Sequence, residues 1–218
     1  MNGTEIFRTY NKLIESSDLE RLKKIIARYE LFKKTLKIPG DILECGVFKG
    51  TGHIFWLKLL KIYDHNSIKK VIGFDTFSGF PKTILNFEKK EANKYIKEAK
   101  YKNDSVASIN KKIKEAGLQN NSELIKGDIV KTSKKYTQNH RGFRISLINL
   151  DLDTYEGTKH ALKNFFPLVS KGGVVIFDEY GARGWGESEA VDEYFSNTKY
   201  KIQKTSNVRK PTAYLIKE

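Results

Sequence analysis

The sequence predicts an α/β fold: a mostly parallel sheet with helices on both faces, an antiparallel C-terminal strand pair and an N-terminal helical extension. Three observations predict it. From Asp41 onward, short apolar runs alternate with helical stretches, the pattern of a parallel sheet buried on both sides. Acidic residues recur where those runs end. The C-terminal stretch instead carries two apolar runs close together, which suit an antiparallel pair. A chain of 218 residues suits one domain of ~100–250 residues, so the expected division is an extension over 1–40 and one domain over 41–218.

In the extension, Ser17-Asp18-Leu19-Glu20 has the form of a capping box, and Leu19, Leu22, Ile26, Tyr29 and Phe32 share a helical stripe. That helix is expected to pack on the core or on a second subunit, giving a possible homo-oligomer through the N-terminal helices. Residues 42–46 read as a buried strand, 51–63 as a helix and 71–75 as a second strand. The Lys- and Glu-rich segment 81–103 reads as a mobile insertion or helical lid. A helix over 105–116 follows, with Ser105 as N-cap and Gly117 at its end. Residues 123–126, 144–151 and 174–178 give three more strands, with a helix over 155–169 between the last two. Residues 200–204 and 212–217 form the closing pair, for seven strands in all.

Composition excludes several function classes. Forty Lys and Arg against 26 Asp and Glu give a net charge of +14, but lysines are spread along the chain and only seven of the 40 are arginines. Nucleic-acid recognition favours arginine forks, so a solvated basic surface is the preferred reading. Cys45 is the one cysteine, which excludes a disulfide framework or a thiolate zinc site within one chain. No apolar run approaches the ~18 residues of a membrane span, and the opening residues lack a signal-peptide centre. A cytoplasmic protein with no membrane partner is expected.

Ligands of open parallel sheets bind beyond the carboxyl ends of the strands. There this chain places Glu44, Asp75, Asp128, Asp151 with Asp153, and Asp178 with Glu179. The first turn, Glu44 to Gly52, has glycines for close approach but neither a dinucleotide fingerprint nor a P-loop. A nucleoside cofactor without phosphates suits it. S-adenosylmethionine is such a cofactor: Asp75 can accept from its ribose diol, Asp128 from its adenine amine, and the acidic surroundings favour its sulfonium. Residues two apart in an extended segment face the same side, so Asp151 and Asp153 can point together, with Asp178 beside them if the fourth and fifth strands are neighbours. Carboxylates so close repel unless a cation intervenes, and magnesium, which takes oxygen ligands in octahedral array and keeps open positions for substrate, is the natural choice over zinc.

The motifs Asp41-Ile42-Leu43-Glu44-Cys45-Gly46-Val47-Phe48-Lys49-Gly50, Asp75-Thr76-Phe77-Ser78-Gly79-Phe80-Pro81, Leu150 to Thr158 and Gly172 to Tyr180 together resemble those of the macrocin O-methyltransferase family. The resemblance implies a class I methyltransferase (Rossmann-like) fold, S-adenosylmethionine as methyl donor, magnesium, and a sugar hydroxyl as acceptor. Carried over, the metal ligands fall on Asp151, Asp178 and Glu179, and the general base on Asp153. Cofactor contacts fall on Glu44, Gly46, Phe48, Lys49, Gly50, Asp75, Thr76, Phe77, Asp128, Ile129 and Asp151. The chain departs from the family in having Glu179 where a second Asp is usual, and Thr51-Gly52 where Gly-Ser is usual.

The expected function is therefore a magnesium-dependent O-methyltransferase acting on a sugar, nucleotide-sugar or glycosylated small molecule. Tyr155, Tyr180, Trp185 and Phe77 are candidate pocket walls, and Arg183 a candidate contact to an anionic substrate. His160 and Cys45 read as structural. Two alternatives stand beside this: a nucleic-acid methyltransferase, disfavoured because no Asn- or Asp-Pro-Pro-aromatic tetrapeptide occurs, and a non-catalytic binding protein on the cofactor fold.

Overall fold

Apolar runs too short for helices become strands, and the amphipathic stretches between them cover the two faces. In the computed structural model, which describes residues 3–98, 104–205 and 208–218, the parallel strands are β1 (Asp41–Cys45), β2 (Val71–Asp75), β3 (Ser122–Lys126), β4 (Ile145–Leu150) and β5 (Val169–Phe177). The C-terminal pair is β6 (Gln203–Lys204) and β7 (Ala213–Ile216). The sheet order is β3-β2-β1-β4-β5-β7-β6, with β7 antiparallel to β5 and β6. The helices are α1 (Gly3–Glu15), α2 (Leu19–Lys34), α3 (Thr51–Tyr63), α4 (Glu88–Glu98), α5 (Val106–Glu115), α6 (Ile129–Asn139), α7 (Tyr155–Phe165) and α8 (Glu187–Phe195).

Period-two alternation divides the core between the faces. Ile42, Val71, Leu147, Val174 and Ile176 pack with Leu31 and Phe32 of α2, Trp56 and Leu60 of α3, and Ile109 of α5. Leu43, Phe74, Ile148, Val175 and Phe177 pack on the other face with Tyr136 of α6, Leu162 and Phe165 of α7, and Phe195 of α8. Cys45 is fully buried in that second layer, where burial pushes its thiol pKa up, as suits a packing residue.

Strand order reverses between β1 and β4, so their carboxyl ends form the crevice where this architecture binds ligands. Register fixes what meets there. Cys45 pairs with Phe74 and Leu150, and Leu150 pairs with Phe177. The next residues, Gly46, Asp75, Asp151 and Asp178, therefore leave the sheet in one row. Gly46 donates to Phe74 O at 2.9 Å, and Asp151 N donates to Cys45 O at 2.8 Å. Gly46 has φ +99°, and a Cβ there would lie 1.9 Å from the Asp151 carbonyl oxygen. Only glycine fits.

Several expectations are corrected. The N-cap of α2 is Asp18, whose carboxylate accepts from Glu20 N at 2.9 Å, in place of a box built on Ser17. The buried face of that helix is Ala27, Arg28, Leu31 and Phe32, while Leu19 and Ile26 are more than half exposed. Charge attraction at one end rotates the helix away from the apolar stripe read from the sequence. Helices α1, α6 and α8 were not anticipated. β5 begins five residues early, at Val169, because a register shift against β4 between Ile145 and Leu147 absorbs Gly172 and Gly173. Within 81–103, α4 is the helical part; residues 99–103 lie outside the described ones.

Gly46→Ala is expected to destabilise the fold by about 2–4 kcal/mol, since the added methyl meets backbone that cannot move without parting β1 from β4. The shift of the urea unfolding midpoint measures it.

Candidate active site

One carboxylate oxygen from each of Asp151, Asp153 and Glu179 lies within 4.8 Å of the others. Strand ends position two of them: Asp151 follows β4, and Glu179 follows β5 by two residues. Asp153 is placed by a tight turn, in which Thr154 N donates to Leu152 O at 2.7 Å and Asp153 adopts φ +62°. A non-glycine residue held there costs about 1 kcal/mol or more and is typical of sites where geometry serves chemistry. Glu179 is fixed from below, its amide donating at 2.8 Å to the buried Glu187 carboxylate. Burial and the nearby Asp178, Asp153 and Asp151 charges raise the Glu187 pKa well above the ordinary value.

So many acids require counter-charge, and α2 supplies much of it. Lys24 Nζ lies 3.0 Å from Asp178 Oδ2 and 3.7 Å from Asp151 Oδ2. Arg28, one turn on, reaches Asp151 at 3.1 Å and Asp178 at 3.4 Å. The Arg28 guanidinium is buried, sits 5.5 Å from the Trp56 ring centroid, and has its pKa raised on balance: burial lowers it, but Glu44, Asp151 and Asp178 prevail. Lys210, from the loop before β7, forms an ion pair with Glu179. Burial alone would raise Asp151, yet Lys24, Arg28 and Lys210 bring it below the ordinary carboxylate value. Among the described residues Asp153 has no such direct partner: burial and the Asp151 charge push it up to about 7.

The expected metal ligands are thus not gathered as one set. Asp151 and Glu179 converge with Asp153, while Asp178 lies outside that trio, beside Asp151, with which it shares Lys24 and Arg28. Lys24, Arg28 and Lys210 were missed because dispersed lysines hide any meaningful ones. The i, i+4 spacing of Lys24 and Arg28 was the available signal.

The cofactor candidates form the opposite wall. Asp75 clamps two turns: its Oδ2 accepts from Val47 N and Phe48 N, both at 2.8 Å, and its Oδ1 from Phe77 N at 2.7 Å. The Thr76 hydroxyl also lies 3.4 Å from Oδ1, so both oxygens already face two protein donors, and a ribose hydroxyl would have to take the place of that weak Thr76 contact. Phe48 and Phe77, in those turns, both have left-handed φ, 51° and 53°. Asp128 caps α6 through Val130 N at 3.0 Å and accepts from the Thr83 hydroxyl at 2.9 Å, so its first role is structural. Ile129 is buried in α6, Lys49 is exposed, and Thr76 bonds within its own turn, to Gly79 O. Gly50 caps α3 at φ +82°. Glu44 is buried, with its pKa pushed up to about 8 by burial against the pull of Arg28, and its Oε2 has no hydrogen-bond partner among the described residues. A Cβ on Gly52 would lie 2.1 Å from Glu44 Oε1 and 3.0 Å from Arg28, which gives that departure from the family a physical reason.

The lid segment closes the third side. Glu88, fully buried, accepts from Leu85 N at 2.8 Å, Tyr155 N at 2.7 Å and Gly186 N at 3.1 Å, tying α4 to α7 and to the loop before α8. Phe80 stacks on Trp185 at 5.4 Å, and Tyr95 meets Phe48 and Phe80 at 6.4 and 6.3 Å. Of the other candidate walls, Phe77 is buried, and the Tyr155 and Tyr180 hydroxyls are committed to Glu193 and Asp192 of α8. Arg183 is exposed, and His160 bonds back to Glu156 of its own helix.

Comparison with known proteins adds a lineage. A family profile described as Macrocin-O-methyltransferase (TylF) matches residues 7–210. Mycinamicin III 3''-O-methyltransferase of Micromonospora griseorubida is 29% identical over 160 residues, covering 72% of this chain and 61% of that protein. The 8-demethyl-8-(2,3-dimethoxy-alpha-L-rhamnosyl)-tetracenomycin-C 4'-O-methyltransferase of Streptomyces olivaceus is 27% identical, covering 66% of this chain and 54% of that protein. The matched part thus spans less than two thirds of either relative. Among solved structures, the O-methyltransferase NovP superposes with a TM-score of 0.75 at 21% identity, over 89% of this chain and 79% of that one, and so shares its Rossmann-like fold.

Arg28→Met is expected to destabilise the protein by about 2–4 kcal/mol, because the buried Asp178 and the partly exposed Asp151 are left with Lys24 as their one direct cation among the described residues. In a double-mutant cycle with Asp178→Asn the two losses should fall well short of adding, as unfolding curves of the four proteins would show.

Proposed function

The chain belongs to the macrocin O-methyltransferase family, and from that membership we propose that it is an S-adenosylmethionine-dependent O-methyltransferase acting on a hydroxyl of a sugar, nucleotide-sugar or glycosylated small molecule. The observation that carries the reading is the convergence of Asp151, Asp153 and Glu179 at the switch point, beside the glycine turn.

The donor set suits magnesium: it is all carboxylate oxygen, and the three atoms lie within 4.8 Å of one another, so that side-chain rotation would bring them to the ~3.0 Å that separates adjacent ligands of an octahedral ion bonded at ~2.1 Å. Asp151 and Glu179 would hold the ion, with Asp178 beside them; Asp151 and Asp178 share Lys24 and Arg28, and Glu179 is paired with Lys210, so the ion would compete with those cations for each of them. When bound, magnesium supplies Lewis acidity that lowers the pKa of an acceptor hydroxyl. The unpartnered Glu44 Oε2 supports the cofactor assignment, since a buried acid oxygen calls for a partner, and the α-ammonium of S-adenosylmethionine would both supply one and favour the ionised form that burial disfavours. That cofactor supplies the methyl group, on a sulfonium. Asp75 orders the two turns at the ends of β1 and β2 and would accept from the ribose in place of the long Thr76 contact.

Asp153 then takes the acceptor proton. Its strained, lid-covered position puts it beside Asp151 and Glu179, and a carboxylate raised to about 7 is a far better base than an ordinary aspartate. The α4 lid and the Phe80–Trp185 stack exclude water and give a sugar ring an apolar face to lie on. A second subunit is also proposed, covering α1, whose Ile6, Phe7, Tyr10 and Ile14 are each at least half exposed.

Three outcomes test these readings. Asp153→Asn should bind S-adenosylhomocysteine within about threefold of the parent by calorimetry yet lose at least ~100-fold in methyl transfer from labelled donor to a panel of glycosides. Failure of the parent to bind the product nucleoside would overturn the function itself. Because the Asp153 pKa is raised in the fold, its contribution to stability is complete below pH ~4 and is lost as pH rises through about 7. Asp153→Asn should therefore melt higher than the parent at pH 8, and the two should converge in acid. Light scattering of Phe7→Glu should report a smaller assembly than the parent if α1 joins subunits.

A further inference from the structure

Glu179 is a buried carboxylate, 1% exposed at its side chain, and Lys210 is the cation paired with it. The charge of Lys210 also lies near enough to Asp151 and Asp153 to favour ionisation of both. All three candidate oxygen donors thus feel one ammonium. Arg28 cannot leave the cluster, being buried against Trp56 and Glu44. Lys210 can leave: its side chain is 39% exposed and sits on a long flexible stem. Its loop is pinned over the end of β5, with Thr212 N donating to Phe177 O at 3.1 Å and Arg209 N to Glu20 of α2 at 3.2 Å. The ammonium is therefore tethered at the site even when it swings aside.

An ammonium and a divalent ion that both bind the Glu179 carboxylate would stand within a few ångströms of each other and repel, so each weakens the hold of the other. We infer that Lys210 is an intramolecular competitor of the divalent cation, neutralising Glu179 when the metal is absent and yielding its place when the metal binds, so that this residue sets the metal affinity of the site. The inference rests on the metal reading given above.

The test uses Mn2+ alone, without cofactor or acceptor, and reads free ion by electron paramagnetic resonance. Lys210→Met should bind Mn2+ about tenfold more tightly than the parent, and Lys210→Arg, which keeps the charge, should stay within about threefold of it. Lys199→Met, at a lysine whose side chain is 81% exposed, makes the same change in net charge and should leave affinity unaltered. Asp151→Asn should abolish binding in every background. Should the parent bind Mn2+ through Asp151 while Lys210→Met binds it no more tightly, the inference falls and the metal reading stands. Binding in Lys210→Met but not in the parent would support the inference in its strongest form. No Asp151-dependent binding in any variant would overturn both.

Discussion

Strand register brings more carboxylates to one end of this sheet than water can screen. Asp151 and Asp178 leave β4 and β5 side by side because Leu150 pairs with Phe177, and the chain then adds Glu179 and Asp153. Buried like charges at such separations shift pKa values or demand cations, and both responses occur. Arg28, Lys24 and Lys210 supply the cations. Asp153, the member without a direct partner among the described residues, takes up the strain as a raised pKa.

That constraint explains why the N-terminal extension cannot be a mere appendage. α2 places Lys24 and Arg28 into the crevice and, on the same side, packs Leu31 and Phe32 into the core. Arg28 also touches the space above Gly52 and stacks on Trp56 of α3, so one guanidinium links the first turn to the ends of β4 and β5. The division at residue 40 marks a change of pattern in the sequence; the active-site wall crosses it.

The lid follows a related logic with neutral donors. Glu88 satisfies its buried charge with three backbone amides instead of a cation, and in doing so fastens the Lys-rich segment over the acids. Phe80, Trp185, Tyr95 and Phe48 fill the space between lid and first turn. The outer face of α4 exposes Lys89, Lys90, Lys94 and Lys97 to solvent, part of the large positive charge.

Much of the fold was legible in the sequence. The seven strands, the helices over 51–63 and 106–115, and the row of strand-exit acids follow from periodicity, caps and glycine positions, which are local properties. Helix α6 was hidden because its buried positions include Ser133, and α1 because none of its residues is buried and no pattern there had to face a core. The buried face of α2 was misread for a deeper reason. Apolar periodicity assumes that hydrophobic burial orients a helix, whereas here the attraction of Lys24 and Arg28 to Asp151 and Asp178 turns it. By itself the sequence determined which acids stand at the strand ends. Only the tertiary structure decided which of them share a cation, because that depends on ion pairs formed between residues as far apart in the chain as Lys24 and Asp178.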